Sequence, residues 1–147
     1  HKILILNGPN LNMLGIREPE IYGEVSLDKI RVASEERGDK YSMVIDFRQS
    51  NEEGELVNWI QSAVEGYSGI ILNAGGYTHT SIAILDALKA IKLPTIEVHL
   101  SNIHQREPFR NTSYVSQVAA GVICGFGAQG YLFAIDALDT ILKKESY

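Results

Sequence analysis

Short apolar runs alternate with amphipathic stretches along this chain, and polar residues gather where the apolar runs end. Together these observations predict the α/β class: an open, doubly wound, five-stranded parallel sheet with helices on both faces. The runs are apolar throughout instead of alternating, as expected of strands covered on both sides. At 147 residues and 45% hydrophobic, the chain reads as one catalytic-sized domain, 1–147, able to bury a single core without disulfide or metal staples.

The first element is "KILILN", Lys2 to Asn7, a buried strand ended by the turn signal "NGPN". After an irregular stretch, Ser26 is placed to cap a helix beginning at Leu27, with an apolar stripe of Leu27, Ile30 and Ala33 and an interruption at Gly38. "MVIDF", Met43 to Phe47, is the second strand. Ser50, Asn51 and Glu53 have the residue types of a helix start, and Leu56, Val57, Ile60, Ala63 and Val64 give a helical face that ends near Gly66. "GIILNAGG", Gly69 to Gly76, is an apolar strand running into a glycine turn. Ile82, Leu85, Ala87, Leu88 and Ile91 then carry a helix that Pro94 forbids from continuing. "TIEVHLS", Thr95 to Ser101, is the fourth strand and "GVICGFG" the fifth; Tyr131 to Lys144 form a last helix whose final lysines suit its dipole. This order is that of a flavodoxin-like sheet.

Composition narrows the function. A single cysteine, Cys124, lies in an apolar run, which excludes a disulfide framework and suggests a buried thiol in a reducing compartment. No stretch approaches the ~18 apolar residues of a membrane span, and the first residues lack a signal-peptide pattern, so a cytoplasmic protein is expected, with no membrane partner. The net charge of −5 is spread along the chain without a basic stripe, which argues against nucleic acid as a partner.

In a doubly wound sheet, ligands bind beyond the carboxyl ends of the strands. Here strand one ends in Asn7, Gly8, Pro9 and Asn10 and leads into "GIREPEIYG", which carries Arg17 and Tyr22; strand three ends in Asn73, Gly75 and Gly76, with His79 beyond; strand four carries Glu97 and His99, followed by Ser101, His104, Arg106 and Arg110. Singly, each has a plain structural reading as turn residue, helix-start side chain, buried acid or solvated surface. Their convergence on one end of the sheet favours a site.

"GFGAQG", Gly125 to Gly130, satisfies G-x-G-x-x-G after a strand and before a helix. A dinucleotide unit also requires a further strand with an acidic residue ~20 positions on, and none follows, so close helix–strand packing is the preferred reason for these glycines. There is no P-loop signature and no G-x-S-x-G elbow. A metal site is conceivable from Glu97, His99 and His104. A carboxylate two residues from a histidine, on the same strand face, serves equally well to orient an acid/base imidazole.

The blocks "NGPNLNMLGIREPEIYG", "FRQSNEEGEL", "ILNAGGYTHTSIAILDAL", "IEVHLSNIHQREPFR" and "GVICGFGAQGY" resemble, in register and over essentially the whole chain, the type II 3-dehydroquinate dehydratases of the shikimate pathway. "REPxxYG" together with "EVHxSNxHxREPFR" makes the resemblance specific; the glycine-interrupted, polar "RVASEERGDKYS" departs from it and bears on local packing. The resemblance implies conversion of 3-dehydroquinate to 3-dehydroshikimate through an enolate, with no metal or organic cofactor.

It also gives the odd stretch a purpose. An unperturbed tyrosine, with pKa ~10, is almost wholly protonated at neutral pH, and a neighbouring guanidinium lowers that pKa. Tyr22, activated by Arg17, is thus the implied base, removing the proton alpha to the ketone. Asn10 assists the enolate through water, and His99, oriented by Glu97, protonates the departing hydroxyl. Implied substrate contacts are Asn73, Leu100 and Ser101 for the carboxylate, His79 and Arg110 for ring hydroxyls, and Asp86. The Gly15 to Gly23 stretch is expected to open and close over the site. Asp86 lies seven residues beyond His79, which carries it ~10 Å along its helix from its own site at 1.5 Å per residue. The resemblance implies that it serves a neighbouring subunit in a trimer, four trimers forming a homo-oligomeric dodecamer. Two other classes remain open on the residues alone: a flavodoxin-like ligand-binding module without turnover, and a nucleotide-dependent oxidoreductase using "GFGAQG".

Overall fold

The computed structural model describes residues 1–16 and 25–145. Arg17 and Tyr22 lie outside the described residues. Five parallel strands, β1 (Lys2–Asn7), β2 (Val44–Gln49), β3 (Gly69–Asn73), β4 (Thr95–His99) and β5 (Gly121–Cys124), form one sheet in the order β2-β1-β3-β4-β5. The helices are α1 (Leu27–Asp39), α2 (Glu53–Ser62), α3 (Ile82–Ile91) and α4 (Gln129–Glu145). This is the flavodoxin-like doubly wound sheet expected from the sequence, with its topological switch between β1 and β3.

Strand alternation splits the core into two layers. Ile3, Ile5, Ile71, Ile96 and Val98 pack with Ile30 of α1 and Ala134, Ile135 and Leu138 of α4. Leu4, Leu6, Ile70 and Leu72 pack with Leu56 and Ile60 of α2 and Ile84 and Leu88 of α3. These side chains are buried essentially completely, so truncating one of the isoleucines or leucines to alanine costs ~2–5 kcal/mol.

Local chemistry sets most boundaries. Ser26 caps α1 as expected, its hydroxyl accepting from Lys29 N–H at 3.2 Å. Gly38 is no defect: a Cβ there would come within 2.7 Å of Ile45 Cγ1, so the glycine lets α1 lie close on β2. The buried face of α1 is Ile30, Ser34 and Gly38, not the Leu27, Ile30, Ala33 stripe.

Helix α2 starts at Glu53 without a side-chain cap, because Ser50 and Asn51 are used elsewhere: Ser50 Oγ accepts from Glu52 N–H and Asn51 Oδ1 from Asn10 N–H, both at 3.0 Å. The helix stops at Ser62, which leaves Val64 exposed instead of on the apolar face. Helix α3 is capped by Ser81 and ends at Lys92 in the left-handed region, two residues before Pro94. Cys124 is half-buried, not sealed in the core, because β5 is the edge strand. Among the described residues, no helix is long and apolar enough to cross a membrane.

Candidate active site

The carboxyl ends of β1, β3 and β4 meet in a cleft of about 140 Å³. Asn10, Asn73, His79, His99, Leu100, Ser101 and Arg110 all line it, with Arg106 and the apolar Leu11, Met13, Leu14 and Ile103. The backbone forces this closeness: Gly8 N–H donates to Asn73 O at 2.8 Å, and a Cβ on Gly8 would meet Ala74 O at 2.3 Å, so only glycine lets the two strand exits touch. Asn10 sits in the left-handed region at φ 70°, which asparagine tolerates.

The chemical centre is on β4. Glu97 and His99 share a strand face, and the His99 Nε2 donates to Glu97 Oε2. Glu97 is fully buried and His99 5% exposed, so the pair is shielded from bulk water. A carboxylate without water needs donors, and the chain supplies hydroxyls: Ser113 Oγ donates to Oε2 at 2.8 Å, Thr78 Oγ1 to the same oxygen at 3.3 Å, and Ser116 Oγ to Oε1 at 2.5 Å. Burial pushes the Glu97 carboxyl up, but the hydrogen bond and charge of His99, then the Ser116 and Ser113 hydroxyls, outweigh it and hold the group below the ordinary glutamate range. An ionised Glu97 fixes the imidazole through Nε2 and leaves Nδ1 as the nitrogen for chemistry.

Other polar groups are similarly committed. His79 Nδ1 lies 2.7 Å from Thr112 O, a pure acceptor, so Nδ1 carries the proton and Nε2 remains for a ligand. Arg110 is held by Glu107, Nε to Oε1 at 3.1 Å. Asn73 accepts from Gly75 N–H at 3.2 Å through Oδ1 and donates from Nδ2 to the Tyr131 hydroxyl at 2.9 Å.

The "GFGAQG" turn closes the back of the site. Gly125 N–H donates to His99 O at 3.3 Å and Gly127 N–H to Leu100 O at 2.9 Å. Amides so committed are not free to cradle a pyrophosphate. A Cβ on Gly130 would already lie 3.4 Å from the side chains of Ile123 and Val98, in keeping with the close helix–strand packing expected from the sequence.

Of the described candidates, Glu97 stands behind the lining, on His99, and Asp86 lies apart from the site. It is exposed on α3 and does not line the cleft of its own chain. His104 is exposed on the turn Ile103–Gln105. Among the described residues, no group of three histidine, cysteine or carboxylate side chains could hold a metal ion. Sequence reasoning had not singled out Thr78, Ser113, Ser116 or Tyr131, and had noted Arg106 only as a strand-end cation. The one available signal was the buried acid itself, which obliges nearby hydroxyls to serve it.

Known proteins share this fold. The family profile for Dehydroquinase class II matches residues 1–139. The 3-dehydroquinate dehydratase of Brucella canis is 53% identical over 143 residues, covering 97% of this chain and 91% of the relative. The type II dehydroquinase crystal structure from Butyrivibrio crossotus superposes with a TM-score of 0.92 at 44% identity, covering 94% of this chain and 97% of that one. The one from Propionibacterium acnes gives 0.90 at 41%, covering 95% and 96%. The chain belongs to the class II dehydroquinase family.

Proposed function

We propose that this single domain dehydrates 3-dehydroquinate to 3-dehydroshikimate as a type II enzyme of the shikimate pathway, through an enolate. The observation that carries the reading is the buried Glu97–His99 pair at a cleft lined by Asn10, Asn73, Ser101 and Arg110, in a chain of this family. Loss of water is redox-neutral, so the chemistry needs a base, a place for enolate charge and an acid for the leaving hydroxyl.

Tyr22, its phenol made acidic by the Arg17 cation, takes the proton from the ring carbon alpha to the ketone. The charge passes to the ketone oxygen, where a water held by Asn10 stabilises it. The enolate then reforms the carbonyl and expels the hydroxyl, which leaves as water with a proton from His99. Held by Glu97 at Nε2, the imidazole presents Nδ1 for that transfer. Asn73 and the Leu100–Ser101 segment take the substrate carboxylate; His79 and Arg110 take ring hydroxyls. Asp86, exposed and away from its own cleft, acts in the neighbouring subunit of a trimer, within a dodecamer.

The test is incubation of the purified protein with 3-dehydroquinate alone, following the ultraviolet absorbance of the conjugated enone. Product without any addition is the expected result. No product overturns the activity, and product only with added nicotinamide nucleotide or metal overturns the mechanism.

A further inference from the structure

The hydroxyl of Tyr131 is fully buried, has no role in the steps above, and stands between two asparagines at the floor of the cleft. It donates to Asn7 Oδ1 at 2.7 Å and accepts from Asn73 Nδ2 at 2.9 Å. The run continues at both ends: Asn7 Nδ2 donates to Arg48 O at 2.9 Å, and Asn73 Oδ1 accepts from Gly75 N–H at 3.2 Å. Both ends are backbone groups that cannot change role, since Arg48 O only accepts and Gly75 N–H only donates. Those ends fix the sense of every bond between them. Asn7 turns its NH2 to Arg48 and its oxygen to Tyr131; Asn73 turns its oxygen to Gly75 and its NH2 to Tyr131. Only a group that donates and accepts at once can join the two amides, and a phenol does so.

We propose that Tyr131 is a positioning residue that sets the Asn73 amide to present an N–H, and not its carbonyl, to the substrate carboxylate. This rests on the reading that Asn73 receives that carboxylate. Asn73 has two N–H groups; one is spent on Tyr131, and the other remains for the cleft that the residue lines. Burial pushes the Tyr131 phenol up, an effect only partly offset by the Asn73 hydrogen bond, so the hydroxyl stays protonated and the orientation persists at every working pH. Without the hydroxyl, the Nδ2 of Asn73 loses its buried acceptor. Only the 3.2 Å bond from Gly75 N–H then opposes rotation of the amide, and in the turned state an oxygen lone pair faces the carboxylate.

The experiment is steady-state kinetics on Tyr131→Phe, Asn73→Ala and the double variant, with thermal unfolding of each. Tyr131→Phe is expected to raise KM about tenfold to a hundredfold, the range for a hydrogen bond to a charged group, with kcat changed less than about threefold. The double variant should bind no worse than Asn73→Ala alone, because the phenol acts only through that amide.

A lowered melting temperature with unchanged KM, or additive effects in the double variant, overturns the proposal. If the wild type gives no product, the functional reading falls and this one with it. Wild-type turnover with an unmoved Tyr131→Phe KM sinks this inference alone. Should Tyr131→Phe not fold, the wild-type Asn73 side-chain amide resonances decide the matter. One NH2 proton should shift on adding substrate while the other stays put and slowly exchanging, and equal response of both protons overturns the assignment.

Discussion

Ser116 donates to Glu97 Oε1 at 2.5 Å, on the carboxylate oxygen that His99 leaves unused. The two oxygens of Glu97 are thus served from opposite directions, one by the imidazole with Ser113 and Thr78, the other by Ser116. Ser116→Ala removes one of the donors that offset burial, so the Glu97 carboxyl moves upward. Because that carboxyl sits below its ordinary value in the native protein, its stabilisation is present above the ordinary glutamate range and is lost as pH falls through the native value. The acid limb of the kcat profile should therefore move to higher pH in Ser116→Ala, with a stability loss of ~1.5–3 kcal/mol near neutrality. An unmoved acid limb would show that Ser116 does not tune the pair.

Tyr22→Phe is expected to lower kcat by ~10²–10⁴ while substrate binding changes little, the signature of a lost acid/base group. Single-turnover and equilibrium binding measurements separate the two. A near-normal kcat removes Tyr22 from the mechanism.

No lysine lines the cleft among the described residues. Borohydride added with substrate should therefore leave activity intact, since an enolate route forms no imine to reduce. Irreversible, substrate-dependent inactivation, with a mass increase on a lysine peptide, would contradict the enolate.

Asp86 faces solvent on α3, away from the cleft of its own chain. If it completes a neighbouring site, inactive Tyr22→Phe chains co-refolded with impaired Asp86→Ala chains should recover roughly a quarter of wild-type sites on random equal mixing. Mixed assemblies showing only the average of the two parents would end the shared-site claim.

Much of this was legible in the residues because it rests on short-range rules. Strands β1, β3 and β4 are apolar runs stopped by turn residues; the Ser26 cap and the Pro94 stop are local chemistry. What was not legible depends on partners that no helical or strand period points to. Gly38 reads as a helix fault until Ile45 is seen against it. Ser50 and Asn51 read as caps until neighbouring amides claim their side chains. Ser113 and Ser116 lie in a polar stretch with no period, and nothing there says that a carboxylate on β4 awaits them. Tyr131 reads as the first turn of an amphipathic helix, and its hydroxyl finds its purpose only once α4 is docked.

The bond from Tyr131 to Asn7 joins residues 124 positions apart, one on the first strand and one on the last helix. Contacts of such span are the slow ones in folding, since loop-closure entropy must be met before they reward it. A growing chain can assemble β1, α1, β2 and β3 and still lack the phenol at the floor of the cleft until α4 has been made and docked. Ligand affinity is then acquired late, as a report that β1 and α4 have met.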